Sequence, residues 1–307
     1  MSKETWFAVV NPASANGKTR KTWPKLYKKI REQDIALDYV FTNGPEEATT
    51  ITRQALQSYS QILSVGGDGT LNEVVNGFFE NHELINPDAS LAYFFQGTGG
   101  DFPRVFQNKR DLPSLIEMLK RKEIIAVDCG LVQYQDASGK MQDRYFLNVG
   151  EVGLGSVSVY NINNRSKALG GRLSFLLGGI LTILSYKSTN MKCVVDGKIV
   201  ANGLTNSVWV ANGRFVGGGM MIAPHADLTD GLFDVVVIDD LSTITLLKNM
   251  PKIYQGQHLE IPGVAVYKGK DISIISDPPV YLDVDGEIPG YTPVHFGLIP
   301  KAIKLWI

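Results

Sequence analysis

Four apolar runs in the first third of the chain each stop at a turn, and each is followed by apolar residues at helical spacing. No other feature restricts the fold as much. Phe7–Val10 ends at Asn11-Pro12, and Trp23, Leu26, Tyr27 and Ile30 then recur at i, i+3, i+4, i+7. Leu37–Phe41 precedes a stripe of Ile51, Ala55, Leu56 and Tyr59, and Ile62–Val65 precedes Leu71, Val74, Val75 and Phe78. Leu91–Phe95 leads into short helices near Asp101–Phe106 and Ser114–Arg121. Strands and helices in strict alternation predict a parallel, Rossmann-like sheet covered by helices on both faces.

After about Ile124 the rhythm changes. Ile124–Gln133 and Arg144–Val149 flank a polar turn at Asp136–Lys140, and Lys192–Val195 enters the hairpin dipeptide Asp196-Gly197. Ser207–Ala211, Phe233–Ile238, Val264–Tyr267, Ile272–Ile275 and Val280–Val284 continue the pattern, with helices expected at Arg172–Tyr186 and Thr243–Tyr254. This half predicts a mostly antiparallel β-sandwich. A chain of 307 residues is also longer than one core usually serves. The net charge of −1 argues against a nucleic-acid partner. Two isolated cysteines, Cys129 and Cys193, lack zinc-site spacing and suit a reducing compartment, most simply the cytoplasm. The start carries no signal-peptide pattern, and the longest apolar run, Leu173–Leu184, is too short to span a bilayer.

Two glycine turns fall at the carboxyl ends of predicted strands, where ligands of open α/β sheets bind. They are Gly66-Gly67-Asp68-Gly69-Thr70 and Gly97-Thr98-Gly99-Gly100-Asp101. Glycines let backbone N–H groups approach a phosphate, and the following helix N-terminus favours negative charge. An aspartate inside such a turn repels phosphate unless a cation intervenes, which suggests magnesium. Gly17-Lys18-Thr19 is not a P-loop, because Pro12 stands where that motif needs glycine. The other reading of both turns is tight strand–helix connections.

At these residues the sequence resembles the diacylglycerol kinase catalytic family, which includes bacterial lipid kinases and sphingosine and ceramide kinases. The resemblance is carried, in order, by Asn11-Pro12, Gly66–Thr70 with Leu71-Asn72-Glu73, and Gly97–Phe102. Phe146-Leu147-Asn148, Gly153-Leu154-Gly155, Ala223-Pro224, Asp227, Asp230-Gly231-Leu232 and Asp285-Gly286-Glu287 continue it. It departs at Gly100, where the family usually has Asn. The resemblance implies a nucleotide-binding α/β domain over residues 1–126, to which residues 296–307 return. A β-sandwich lipid-substrate domain over 127–295 follows, with the active site in the interdomain cleft. It implies nucleotide contacts at Asn11, Thr42, Gly66, Gly67, Asp68, Gly69, Thr70, Leu71, Asn72, Gly97, Thr98 and Asp101. By the same resemblance Glu287 is the general base, and Asp68 belongs to a catalytic acid trio with Asp101 and Asp128. Asp227, Asp230 and the Leu232 carbonyl are a magnesium site. The implied cofactors are ATP and Mg2+. The implied partner is a lipid taken from a membrane surface, peripherally at the inner face, and a homodimer is compatible with the sequence.

Several residues keep a plainer reading beside the functional one. Asp283-x-Asp285-Gly286-Glu287 is equally a polar turn between strands, and its spacing fails as an EF-hand. Asp227 and Asp230 suit a solvated turn, although two carboxylates so close favour a cation. His82, His225, His258 and His295 show no ligand spacing. The basic run Lys18–Arg31 reads as a solvated face, with docking to anionic lipid as the other option. Leu173–Leu184 reads as core, with lining of an acyl-chain cleft as the other option. Two rival functions remain beside a lipid kinase: an NAD kinase, which shares a GGDG turn, and a non-catalytic nucleotide or lipid sensor.

Overall fold

The computed structural model describes residues 5–97, 99–106, 111–164 and 171–307. It divides into two compact units, Met1–Val127 with Lys301–Ile307, and Asp128–Pro300.

The first unit runs β1 (Trp6–Val10), α1 (Lys18–Arg31), β2 (Leu37–Phe41), α2 (Glu47–Ala55), β3 (Gln61–Gly66) and α3 (Asp68–Gly77). A small hairpin, β4 (Phe79–Glu80) and β5 (Glu83–Leu84), precedes β6 (Ser90–Phe95), α4 (Asp101–Val105) and α5 (Leu112–Arg121). The strands pair in parallel in the order β2-β1-β3-β6. β3 and β6 are buried at every residue, as expected of strands covered on both faces. One core holds Ala8, Val10, Leu63, Val65, Ala92 and Phe94 of the sheet against Trp23 and Ile30 of α1 and Leu115 and Leu119 of α5. The intervening sheet residues are buried as well, which leaves α2 and α3 for the opposite face. The stripe expected on α2 holds at Ala55 and Leu56 and shifts elsewhere. Ala48, Thr52 and Ala55 are its buried residues, and the helix ends before Tyr59. Leu56, which caps the helix, is buried as expected, while Ile51 is only half-buried and Thr52 takes its place beside Gly77, where an added Cβ would lie 2.4 Å from Thr52 Cβ.

The last seven residues complete this sheet. Lys304 and Leu305, in a strand that begins at Glu287, pair in parallel with Ser90 and Leu91. Trp306 packs edge-on against Trp6 with ring centroids 5.0 Å apart, and its Nε1 donates to Ser90 Oγ at 2.8 Å. Trp306→Phe keeps most of the packing but loses that buried donor. The expected cost is about 1 kcal/mol in denaturant unfolding, and an unchanged midpoint would show the bond to be worthless.

The second unit contains the end of β7 (Ile124–Gln135), then β8 (Met141–Phe146), β9 (Val149–Gly153), α6 (Leu154–Asn164), α7 (Gly171–Ser185), β10 (Thr189–Val195) and β11 (Lys198–Ala211). It continues with β12 (Phe215–Val216), β13 (Met220–Met221), β14 (Phe233–Asp239), α8 (Thr243–Ile253), β15 (Val264–Gly269), β16 (Asp271–Asp277), β17 (Tyr281–Val284) and β18 (Glu287–Trp306). The pairs β10–β11, β10–β16, β11–β14, β11–β9, β12–β13, β14–β15, β16–β18, β17–β18, β17–β9 and β7–β8 are all antiparallel. β11 pairs with β10 along its first half and with β9 and β14 along its second, past a bulge at Thr205–Ser207. A strand that changes partners at a bulge turns a corner between layers. The core inside is made of Phe146, Val152, Val208, Val210, Phe233, Ile274, Leu282, Val284 and Phe296, among others.

Two expectations for this unit change. Arg144–Val149 is not one strand: it breaks at Leu147-Asn148. There the Asn148 carbonyl accepts the Asn212 and Gly213 amides at 2.9 and 2.7 Å. The apolar helix α7 is not wholly core either, since Leu181 and Leu184 are 51% and 59% exposed. Among the described residues no helix is long and apolar enough to cross a membrane.

Candidate active site

The order β2-β1-β3-β6 places a topological switch point between β1 and β3, because the chain moves outward from β1 to β2 and then returns to the other side. The predicted nucleotide residues of this unit collect at the carboxyl ends of these strands. Asn11 follows β1, and its amide donates to Val65 O at 2.9 Å; Thr42 follows β2, buried, and its amide donates to Val10 O at 2.9 Å. Gly66–Thr70 link β3 to α3, and Asn11 Nδ2 donates to Thr70 Oγ1 at 2.9 Å. Leu71 and Asn72 are buried in α3, where Asn76 Nδ2 donates to Asn72 O at 2.8 Å.

The two glycine turns pack backbone to backbone. A Cβ added to Gly97 would lie 3.0 Å from Gly67 Cα and 2.7 Å from Phe95 Cζ. α3 begins without any side-chain cap, so its first-turn N–H groups and dipole are presented to an incoming anion. These features fit a phosphate group. Thr98 lies outside the described residues.

Asp68 has a structural duty that its sequence position did not reveal. Its Oδ2 accepts the Gly100 amide at 2.8 Å and its Oδ1 the Phe102 amide at 3.4 Å. The carboxylate thus clasps the second turn and neutralises the start of α4, so a cation is not needed to explain an acid in this turn. Gly100 is left-handed, φ 76°, a conformation that glycine and asparagine both tolerate. Its substitution for Asn therefore preserves the backbone of the turn. Asp101 is buried at the start of α4, with Arg104 Nε 3.5 Å from its Oδ1.

In the second unit, Asp128 is fully buried and its Oδ2 accepts the Gly231 amide at 2.7 Å. This ties β7 to the turn that carries the predicted metal ligands. In that turn Asp227 Oδ1 accepts the Thr229 amide and hydroxyl at 3.0 and 2.8 Å, and Asp230 Oδ1 accepts the Leu232 amide at 3.0 Å. Lys268 Nζ lies 2.9 Å from Asp230 Oδ2 and 3.4 Å from Asp234 Oδ2. The donor set of two carboxylates and the Leu232 carbonyl suits a hard cation, and an ammonium already supplies part of that charge. Among the described residues, no group of three or more His, Cys, Asp and Glu gathers as a metal cluster.

Glu287 is exposed at the start of β18, just past a two-residue turn of Asp285 and Gly286 with φ 52° and 90°. Two left-handed residues match the twist of a hairpin, which is why Asp-Gly occupies it. Asp285 Oδ1 accepts the Val149 amide at 2.9 Å, and Asp283 Oδ1 accepts the Gly286 amide at 2.8 Å. The polar-turn reading and the functional reading are thus compatible: Asp283 and Asp285 build the turn, and Glu287 is presented by it. Sequence reading missed Glu151. It lies opposite Asp283 across β9 and β17, buried, with its carboxylate accepting the Gly155 and Ser156 amides. Burial pushes both carboxyls up, Asp283 to about 8; Asp283 raises Glu151 further, and Asp285 and Glu287 raise Asp283 further.

A parallel sheet with one glycine turn at its switch point and a second packed against it has the architecture of a doubly wound α/β unit, and an antiparallel second unit follows. Residues 5–132 match the family described as the diacylglycerol kinase catalytic domain. Residues 150–307 match the YegS C-terminal NAD kinase beta sandwich-like domain. The chain belongs to the diacylglycerol kinase catalytic-domain family, in its form with a YegS-type C-terminal domain. It is 28% identical over 306 residues to a protein named diacylglycerol kinase of Staphylococcus saprophyticus, covering 97% of this chain and 93% of that one. Its fold is that of a diacylglycerol kinase crystal structure from Bacillus anthracis, with TM-score 0.76, 22% identity and coverage of 100% and 98%. An NAD kinase of Archaeoglobus fulgidus solved with ATP shares the fold more distantly, at TM-score 0.51, 15% identity and coverage of 99% and 94%.

Proposed function

We propose that this chain transfers the γ-phosphate of ATP to the hydroxyl of a lipid, with diacylglycerol or a related lipid alcohol as acceptor. The observation that carries the reading is the pair of glycine turns, packed together beside the uncapped start of α3. The family membership and the relative named diacylglycerol kinase support it.

In this mechanism the amides of Gly66–Thr70 and Gly97 bind and orient phosphate oxygens, with Asn11 holding Thr70 in place. Positioning and charge neutralisation do most of the work in phosphoryl transfer. The acceptor hydroxyl loses its proton to the Glu287 carboxylate as its oxygen bonds to phosphorus and the bond to the departing ADP oxygen breaks. Magnesium would supply charge neutralisation when bound: Asp68 and Asp101 beside the glycine turns would face it, and Asp227, Asp230 and the Leu232 carbonyl would form a separate site in the second unit. The lipid is taken from the membrane surface, peripherally at its inner face.

Purified protein with labelled ATP and a panel of lipid alcohols tests the reading, with NAD in a parallel arm. A labelled phospholipid product is expected. Label appearing only on NAD, or ATP bound with no turnover on any acceptor, would replace this reading with one of its rivals.

Magnesium is expected to raise the melting temperature through Asp227 and Asp230, since a ligand of the folded state alone stabilises it by mass action. Asp230→Ala should lose that response. Lys268→Met should enlarge it, because the ammonium no longer competes for Asp230. Equal responses in all three proteins would place the ion elsewhere.

A further inference from the structure

β17 presents two faces. Leu282 and Val284 enter the core of the second unit, while Tyr281 and Asp283 point the other way. Glu151 of β9 is the register partner of Asp283 and lies on that same face, because its neighbour Val152 is core. Tyr281 stacks on Tyr160 of α6 at 4.3 Å and packs beside Tyr291 at 5.0 Å. Two carboxyls are therefore buried side by side, in a place where two charges would repel without water to screen them. Neither is idle. Asp283 Oδ1 holds the Gly286 amide at 2.8 Å, one residue before Glu287, and Glu151 holds the first-turn amides of α6 at Gly155 and Ser156.

We propose that Asp283 and Glu151 are positioning residues, a buried cross-strand carboxyl pair that fixes the Glu287 turn on one side and the start of α6 on the other. The inference rests on the reading of Glu287 as the base. The groups facing the pair are Asp285 and Glu287 from the turn and Arg144 from β8. Tyr186, which follows α7, faces Glu151. Acids outnumber the single cation and burial is the largest cause of both shifts, so both carboxyls hold their protons more tightly than exposed ones do. Proton loss from Asp283 at high pH puts a negative charge on this buried face and disturbs the turn that carries the base.

The sign of the stability effect follows from Asp283, raised from 3.8 to about 8. Between those values the folded state binds a proton that the unfolded chain does not. Its contribution is full below the lower value, declines as pH rises, and is lost above the upper one.

The test measures melting and steady-state kinetics from about pH 6 to about pH 9. The proteins are wild type, Asp283→Asn, Asp283→Ala and Glu287→Gln. Asparagine keeps an oxygen for the Gly286 amide but cannot ionise. Its melting temperature should decline less steeply toward high pH than that of wild type, the remaining decline belonging to Glu151. Alanine drops the Gly286 bond and should lower kcat by about tenfold to hundredfold with the KM for ATP unchanged. Asparagine should recover most of that loss at the acid end. A wild-type melting slope retained in Asp283→Asn, or an alanine variant with unchanged kcat, overturns the proposal. If alanine does not fold, the asparagine slope still decides. Glu287→Gln separates the two readings: full activity there removes the base assignment, while the Asp283→Asn slope judges the pair independently of turnover.

Discussion

Glu287→Gln is expected to lower kcat by about 10²–10⁴-fold while ATP and lipid bind nearly as in the wild type. An alcohol is a poor nucleophile until its proton has an acceptor. The carboxylate provides one, and the amide matches it in size and polarity but cannot take the proton. The loss belongs to the transition state, so kcat and kcat/KM should fall together. The structure adds a reason why the fold will tolerate the change. Glu287 is exposed, and the turn before it is held by Asp283 and Asp285 through the Gly286 and Val149 amides. Melting of the variant should therefore match wild type. A variant that keeps most of its kcat would reassign the base, and one that melts early would show that Glu287 serves the turn rather than the reaction.

Much of the first unit was legible because its signals are local. Helical stripes such as Trp23–Ile30, strands closed by glycine and the turns themselves are set by residues close in sequence. The harder features depend on partners far away in the chain. The clasp of Asp68 on Gly100 spans 32 residues, and no pattern around Asp68 announces it. Glu151 sits in Val-Gly-Glu-Val-Gly, where two glycines obscure a strand, and its partner Asp283 is supplied only by the register of β9 on β17. The helix α6 was missed for a related reason. Its sequence of glycine, serine, asparagine and valine is a weak helix former. Its start is held by the Glu151 carboxylate, a cap contributed by the preceding strand.

Asp68→Ala is expected to abolish detectable kinase activity, and the clasp changes what should accompany that loss. An acid needed only for a metal could be removed with little effect on folding. Here the removal leaves the buried Gly100 amide without its acceptor and frees the second glycine turn from the first. An orphaned buried donor costs about 1–3 kcal/mol, so the variant should also melt earlier. Because the turns must stay together to surround the phosphates, its affinity for ATP should fall as well, in contrast to Glu287→Gln. Asp68→Asn separates the two duties. Its side-chain oxygen can still receive the Gly100 amide, so stability and ATP binding should largely return. Activity should not, if the negative charge is also required where magnesium gathers. Denaturant unfolding, ATP titration and turnover on the same three proteins decide the matter. Restored activity in Asp68→Asn would leave Asp68 as a clasp alone, and an unaltered melting curve in Asp68→Ala would show that the clasp contributes nothing.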